Sequence, residues 1–322
     1  MKQKVVSLLK NPVFLPFAAA LCCALWGSAF PVIKIGYGEL GIESGDYGSQ
    51  ILFAGVRFAL AGLLTVIAGS IISGKAITVK RKSTVNIVIL ALFQTVLQYM
   101  FFYIGLGNTT GTKSSVLDSV SVFFSVIIAG LLLKERLNIR KIIGCIVGFL
   151  GVVLINLADG GLDGGFSFTG EGFIILSALS YAISSVLIKR FSQTENPVAL
   201  SGYQFILGGC VLAFSGYLMG GRIHLSSSKS IGVLLYLAFL SAAAYTLWGL
   251  LLKYNEVSRV TVYGFMIPVF GCVLSVLMLN ESLSGTVLET VLSLALVCAG
   301  IVIVNTKSKL PARKADGQAE RL

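Results

Sequence analysis

The sequence predicts an all-α integral membrane protein, about ten transmembrane helices arranged as two inverted five-helix repeats around a central cavity. Three observations carry this reading: a shortage of charge, the recurrence of long apolar runs, and a correspondence between the two halves. Only 12% of the 322 residues are charged and 56% are hydrophobic, whereas an ordinary soluble domain carries about 25% charge. A water-facing surface of normal composition cannot be built from this chain. Apolar runs of about 18 residues or more follow one another along nearly its whole length, as a helix crossing a hydrocarbon core of about 30 Å requires.

The breaks between these runs place helices near residues 13–37, 50–73, 84–106, 113–133 and 139–157, then 170–190, 198–220, 230–253, 257–279 and 286–305. The first run follows Lys2, Lys4 and Lys10, as in a signal peptide, but it continues to Tyr37 through Pro31 and Lys34 without a small-residue cleavage site. It is read as a retained helix. The chain then divides into a cytoplasmic N-terminal segment (1–12), a first five-helix unit (13–157), an outer linker (158–169), a second five-helix unit (170–305) and a basic cytoplasmic tail (306–322).

Orientation follows from the connecting segments, because loops rich in Lys and Arg stay cytoplasmic. Lys2 to Lys10, Lys75 to Lys82, Lys134 to Lys141, Lys189 with Arg190, Lys253 with Arg259, and the tail from Lys307 all fall on one side of a ten-helix alternation. The other side holds Lys34, Lys113, Arg222 and Lys229, with acidic Glu39, Glu43, Asp46, Asp159 and Asp163. Both termini are therefore assigned to the cytoplasm. The net charge of +11 is spread over helix ends and forms no single patch, so no nucleic-acid partner is expected. The six cysteines, Cys22, Cys23, Cys145, Cys210, Cys272 and Cys298, lie in apolar runs and read as small buried side chains.

The halves match in order. Lys134-Glu135-Arg136-Leu137 corresponds to Asn280-Glu281-Ser282-Leu283, and the helix end Gly151-Val152-Val153-Leu154-Ile155-Asn156 to Gly300-Ile301-Val302-Ile303-Val304-Asn305. Arg57-Phe58-Ala59-Leu60-Ala61-Gly62 lies over Gln204-Phe205-Ile206-Leu207-Gly208-Gly209, and Val32-Ile33-Lys34 over Leu187-Ile188-Lys189. Five is odd, so the second unit runs through the membrane upside down relative to the first. Two such halves can exchange conformations and open a midplane site to either side in turn; the plainer alternative is a duplication that only enlarged a bundle.

Trp26-Gly27 in helix 1, Arg57-Phe58 in helix 2, Glu135-Arg136-Leu137 after helix 4, and Pro268-Val269-Phe270 with Glu281 in and after helix 9 together resemble the EamA-type ten-helix branch of the drug/metabolite transporter superfamily. The resemblance spans almost the whole chain in two copies. It implies a bundle with a central cavity in a plasma membrane, here a bacterial inner membrane, exporting small metabolites such as amino acids or sugars. Two positions depart from the pattern: Val122 stands where the family commonly has proline, and Tyr181-Ala182 where it has Trp-Ala.

Polar side chains at midplane depth are costly unless they pair or line a wet cavity, so they mark the candidate site. Helix 3 carries Thr95, Gln98, Tyr99, Phe102 and Tyr103 on one arc, and helix 8 carries Ser241, Tyr245 and Trp248. Helix 1 adds Trp26, and helix 6 adds Ser177, Tyr181, Ser184 and Ser185. Trp26, Gln98, Tyr99, Tyr103, Tyr181, Ser184, Tyr245 and Trp248 are the expected substrate-binding residues. Arg57 and Asp118 form either a structural charge pair or a carboxylate contact and a proton-sensitive gate. Glu135 and Glu281 each stand between two helices and are expected to cap the following helix or bond neighbouring amides. Gly144, Gly148 and Gly151 offer a small-residue face for close packing, or for pairing two copies.

No nucleophile with a matching base and no Gly-rich phosphate loop is present, and the single histidine, His224, sits in a loop. The expected activity is secondary transport of a small-molecule substrate, without cofactor or metal, by a monomer or homodimer in contact with membrane lipid, proton coupling running through Asp118 where it exists. A lipid flippase or a polytopic membrane enzyme are the other readings. The orientation is tested by single cysteines: Asp46→Cys and Asp163→Cys should react with an impermeant maleimide in intact cells, and Lys80→Cys should not. The reverse pattern would invert the topology.

Overall fold

A computed structural model describes residues 2–43, 45–109, 114, 117–157, 166–225, 227–279 and 287–306. No strand occurs among them. A short helix α1 (Lys2–Leu9) precedes α2 (Phe14–Leu40), α3 (Tyr47–Ser73), α4 (Arg81–Leu106), α5 (Ser121–Leu133) and α6 (Ile139–Leu157). There follow α7 (Phe168–Phe191), α8 (Pro197–Leu218), α9 (Ser228–Tyr254), α10 (Val257–Leu279) and α11 (Val287–Asn305). Seven of these, α2, α3, α4, α7, α8, α9 and α10, are long and apolar enough to cross a membrane; Ser121–Leu133 and Val291–Asn305 are shorter apolar helices. Large apolar side chains such as Phe17, Ile72, Leu131, Phe214 and Leu277 are exposed on the outside of the bundle, where an aqueous protein would carry charge. Glu281, most of the linker and the tail beyond Thr306 lie outside the described residues.

Helix ends follow their local chemistry. Gly41, at φ 65°, closes α2 three residues later than the hydropathy break, donating its N–H to Gly38 O while Ile42 N–H reaches Tyr37 O at 3.0 Å. Asp46 accepts from Ser49 N–H at 3.0 Å and starts α3 earlier than expected. Arg57 therefore sits near the middle of α3, deeper than the sequence boundary implied. In α4, Leu92–Leu97 forms a π-helical turn, a widening that shifts the register of the helix beyond it. The expected single arc on this helix is split accordingly: Thr95 Oγ1 donates to Gln204 Oε1 of α8 at 2.7 Å, while Tyr99 meets Tyr245 of α9.

The most extensive packing joins α3 to α8. Gly48, Gly55 and Gly62 on α3 and Gly202, Gly209 and Gly216 on α8 each recur at every seventh position, on one face of their helix. A Cβ at Gly55 would come within 2.2 Å of Ala213 N, one at Gly209 within 2.3 Å of Ala59 N, and one at Gly216 within 2.4 Å of Leu52 N. The two backbones are thus in direct contact, the geometry that small residues permit. α6 packs on α11 in the same way: a Cβ at Gly300 would stand 2.6 Å from both Gly144 O and Gly148 N. The Gly144, Gly148 and Gly151 face is spent inside the chain, against α11 and the ring of Phe265, which removes it as a surface for pairing two copies. Around these seams α2 packs on α9 and α10, α7 on α4 and α5, α9 on α3, and α8 on α4.

The two ends of the bundle collect different segments. At one end Lys189 Nζ donates to the Lys253 and Asn255 carbonyls, Asn255 Nδ2 to Leu9 O, Arg259 to Asn305 O, and Ser83 bonds Glu195. At the other, Glu39 pairs with Lys229 at 2.7 Å, Arg222 N–H donates to Ser49 Oγ, and Thr109 Oγ1 donates to Glu171 Oε1. Glu135 does not cap the helix that comes after it. Its carboxylate accepts from Val257 N–H at 2.6 Å, Ser258 N–H at 3.2 Å and Ser258 Oγ at 2.8 Å, so it caps α10, in the other half of the sequence. Lys141, itself buried, reaches Glu256 at 2.9 Å beside it.

The contact between α3 and α8 can be tested by substitution. Gly209→Ala should lower the melting temperature in detergent, since overpacking against backbone costs about 1–3 kcal/mol. Gly232→Ala, where an added Cβ meets nothing within 4 Å, should raise it slightly, by helix propensity of about 1 kcal/mol. A Gly209→Ala protein as stable as the parent would contradict the backbone contact.

Candidate functional site

Helices α2, α3, α4, α8 and α9 bring one aromatic cluster together. Tyr99 and Tyr103 are four residues apart on α4, and Tyr245 and Trp248 three apart on α9, so each pair shares a helix face. The Trp26 ring of α2 stands edge-on to Tyr245 at 4.9 Å and to Trp248 at 5.0 Å. Phe58 of α3 packs 4.3 Å from Tyr99 and stacks on Phe205 of α8 at 5.2 Å, and Phe205 meets Tyr245 at 4.9 Å. The hydroxyls of Tyr99 and Tyr245 are hydrogen-bonded at 2.5 Å. Such aromatic pairs add about 0.5–1.5 kcal/mol each beyond the area they bury.

Within this apolar frame several polar atoms are buried without a hydrogen-bond partner among the described residues: Nε1 of Trp26 and Trp248, Nε and Nη1 of Arg57, and Oε1 of Gln98. An unsatisfied buried polar group costs about 1–3 kcal/mol. Arg57 is 3% exposed, and its guanidinium lies 4.6 Å over the Phe58 ring and 6.0 Å from that of Tyr99. Tyr37, Tyr99, Tyr103 and Tyr245 all lie within its electrostatic reach.

The structure sorts the expected site residues. Trp26, Tyr99, Tyr103, Tyr245 and Trp248 share the cluster, and Gln98 approaches the Tyr245 hydroxyl. Tyr181 of α7 flanks it, within electrostatic reach of Tyr99 and of Asp118. Among the described residues no ion pair joins Arg57 to Asp118; the acid lies within electrostatic reach of Tyr181, and the guanidinium within that of Tyr99. Ser184 is spent on its own helix, donating to Tyr181 O at 2.7 Å. Three members were missed. Tyr37 falls at the expected end of the first helix, where a tyrosine reads as an interfacial anchor, Phe58 figured only beside Arg57 in a motif, and Phe205 is one apolar residue in an apolar run. The repeat held the missing signal for Phe205, because it is the counterpart of Phe58 and the two rings stack. Among the described residues no group of His, Cys, Asp and Glu is arranged to hold a metal ion.

Comparison with known proteins matches the chain twice to the model of the EamA-like transporter family, over residues 14–157 and 168–306. An uncharacterized transporter of Archaeoglobus fulgidus is 30% identical, covering 89% of this chain and 97% of the relative. The uncharacterized transporter YvbV of Bacillus subtilis is 29% identical over 94% of this chain and 95% of its own length. A protein of Salmonella typhimurium named a probable amino-acid metabolite efflux pump is 26% identical over 89% and 93%. One solved crystal structure superposes with a TM-score of 0.73 at 18% identity, covering 90% of this chain and 97% of that one, which speaks to the fold alone.

The chain has 2 tryptophans, and both are in the cluster, so its selectively excited tryptophan fluorescence reports on this place. Trp26→Phe and Trp248→Phe should each leave one emitter that is shifted to the blue of a water-exposed indole and resists acrylamide. Emission typical of an exposed indole from either protein would break the cluster.

Proposed function

The chain belongs to the EamA-like transporter family, and from that premise we propose that it exports a small polar metabolite, amino acids first, by alternating access of one midplane site. It is a transporter and not an enzyme. The observation that carries the rest is the set of buried polar atoms without partners among the rings of Trp26, Tyr99, Tyr245 and Trp248. Aromatic walls with a few directed polar groups suit a small amphipathic ligand. Both Trp26 and Arg57 lie near the middles of their helices, at the depth alternating access needs.

The ten-span, two-repeat arrangement belongs to the same proposal. The family model matching twice supports it, as do the contacts: exchanging α2 to α6 for α7 to α11 turns the pairs α2–α9 and α2–α10 into α7–α4 and α7–α5, and all four are observed. That α3–α8 and α6–α11 map onto themselves agrees with a two-fold relation. The sorting of Lys189, Lys253 and Lys141 to one end and Glu39, Asp46 and Glu171 to the other supports a single orientation, with the basic end and both termini cytoplasmic. The amino-acid reading gains support from the relative named a probable amino-acid metabolite efflux pump. Trp26, Gln98, Tyr99, Tyr103, Tyr181, Tyr245 and Trp248 are its binding residues, and Asp118, within reach of Tyr181, is the candidate proton site.

In proteoliposomes loaded with labelled amino acids, Tyr99→Ala and Trp248→Ala should slow efflux about tenfold or more, the equivalent of about 1.4 kcal/mol, while remaining monodisperse. Asp118→Asn should lose the response to an imposed pH gradient. Full transport by both aromatic variants would return these rings to packing, and an unchanged gradient response would remove Asp118 from coupling.

A further inference from the structure

We propose that Arg57 anchors a substrate carboxylate, so that the site selects solutes bearing a free carboxylate over amines, amides and uncharged compounds. This rests on the reading of the aromatic cluster as the transport site. The charge at Arg57 cannot be removed: a guanidinium stays protonated at any accessible pH, and this one is 3% exposed in a bilayer-spanning helix. Charged side chains at that depth pair, or face a polar ligand. Among the described residues Arg57 has no such pair: Nε and Nη1 are both without a partner, and its guanidinium lies over the Phe58 ring and 6.0 Å from that of Tyr99.

Donors without partners stand in the same cluster. The indole N–H groups of Trp26 and Trp248 donate only, and among the described residues neither has an acceptor. Tyr103 and Tyr245 lie within electrostatic reach of the guanidinium. An unpaired guanidinium in a cluster that also holds unpartnered N–H donors suits a planar anion with two acceptor oxygens, which the edge of a guanidinium binds in bidentate fashion. A phosphate dianion would call for a second cation.

The repeat offers a comparison. Gln204 occupies the position that corresponds to Arg57; its Oε1 accepts from Thr95 at 2.7 Å, while its Nε2 is buried without a partner among the described residues. The second half thus fills this position with a neutral amide. The half that carries arginine instead aims an unmatched charge at the aromatic cluster. The rings of Phe58, Phe205 and Tyr245 beside it suit an apolar remainder on the same solute.

Tryptophan fluorescence of the purified full-length protein is titrated with 3-phenylpropionate, L-phenylalanine and L-phenylalaninamide, and efflux of labelled L-phenylalanine from proteoliposomes is followed in parallel. The parent should bind the two carboxylates at least tenfold more tightly than the amide. Arg57→Met should weaken both carboxylates at least tenfold and leave the amide unchanged, and Arg57→Lys should fall between. Should Arg57→Met fail to fold, the parent's preference and the Arg57→Lys protein decide the matter. An amide bound as tightly as the acids, or carboxylates bound unchanged by Arg57→Met, overturns the anchor, and continued efflux then leaves the transport reading standing. Neither binding nor efflux of any probe by the parent overturns both.

Discussion

The backbone contact between α3 and α8 is the constraint on which the rest of the molecule depends. Lipid offers apolar side chains no hydrophobic reason to prefer one another, so association inside a membrane relies on close packing. Glycines at every seventh position on each helix supply it, because a Cβ at Gly55, Gly209 or Gly216 would collide with the opposite backbone. The seam fixes what lies beside it. Phe58 and Phe205 are brought into a stack across it, Tyr99 is pressed on Phe58, and Tyr245 on Phe205, so the aromatic cluster is assembled around a contact in which main chain meets main chain.

The polar groups around the seam divide into three populations. Most hydroxyls within the helices are settled locally: Thr65 on Ala61 O, Ser241 on Leu237 O, Thr261 on Val257 O, each four residues back along its own helix. Others join helices, as Thr95 does to Gln204 and Ser293 to Gly151 O. A third set is buried without a partner among the described residues: Ser125, Ser177 and Ser201 by a hydroxyl, and Trp26, Trp248 and Arg57 by larger groups that stand in or beside the aromatic cluster.

Most of the fold was legible because its cause is local. Apolar run length, the left-handed Gly41 and the cap at Asp46 act over a few residues, and the described helices obey them. Trp26, Tyr99, Tyr245 and Trp248 were legible because an indole or phenol in an apolar run is conspicuous. What escaped depends on partners distant in sequence. The carboxylate of Glu135 belongs to α10, a helix 122 positions away, and nothing in its own neighbourhood says so. The π turn at Leu92–Leu97 divides Thr95 from Tyr99, which no regular periodicity encodes. The glycine heptads on α3 and α8 were visible as letters, but only the opposite backbone gives them meaning.

The bonds at the two ends are of another kind from the seam. At the basic end Glu135 holds the first turn of α10 through two amides and a hydroxyl, and Lys141 joins Glu256, so segments from both halves are tied by charge-assisted hydrogen bonds. At the acidic end Glu39 and Lys229 tie α2 to α9. A helix N-terminus released from Glu135 can bond water instead, and a parted ion pair at the membrane surface is solvated, so opening an end exchanges one set of polar partners for another. Parting α3 from α8 would instead leave a void along two glycine faces that no side chain fills. For the proposed alternating-access cycle the cheaper motion is therefore the exchange of end contacts about an intact seam, which would keep the aromatic cluster and Arg57 near the pivot, where the proposed solute would change side without itself moving far.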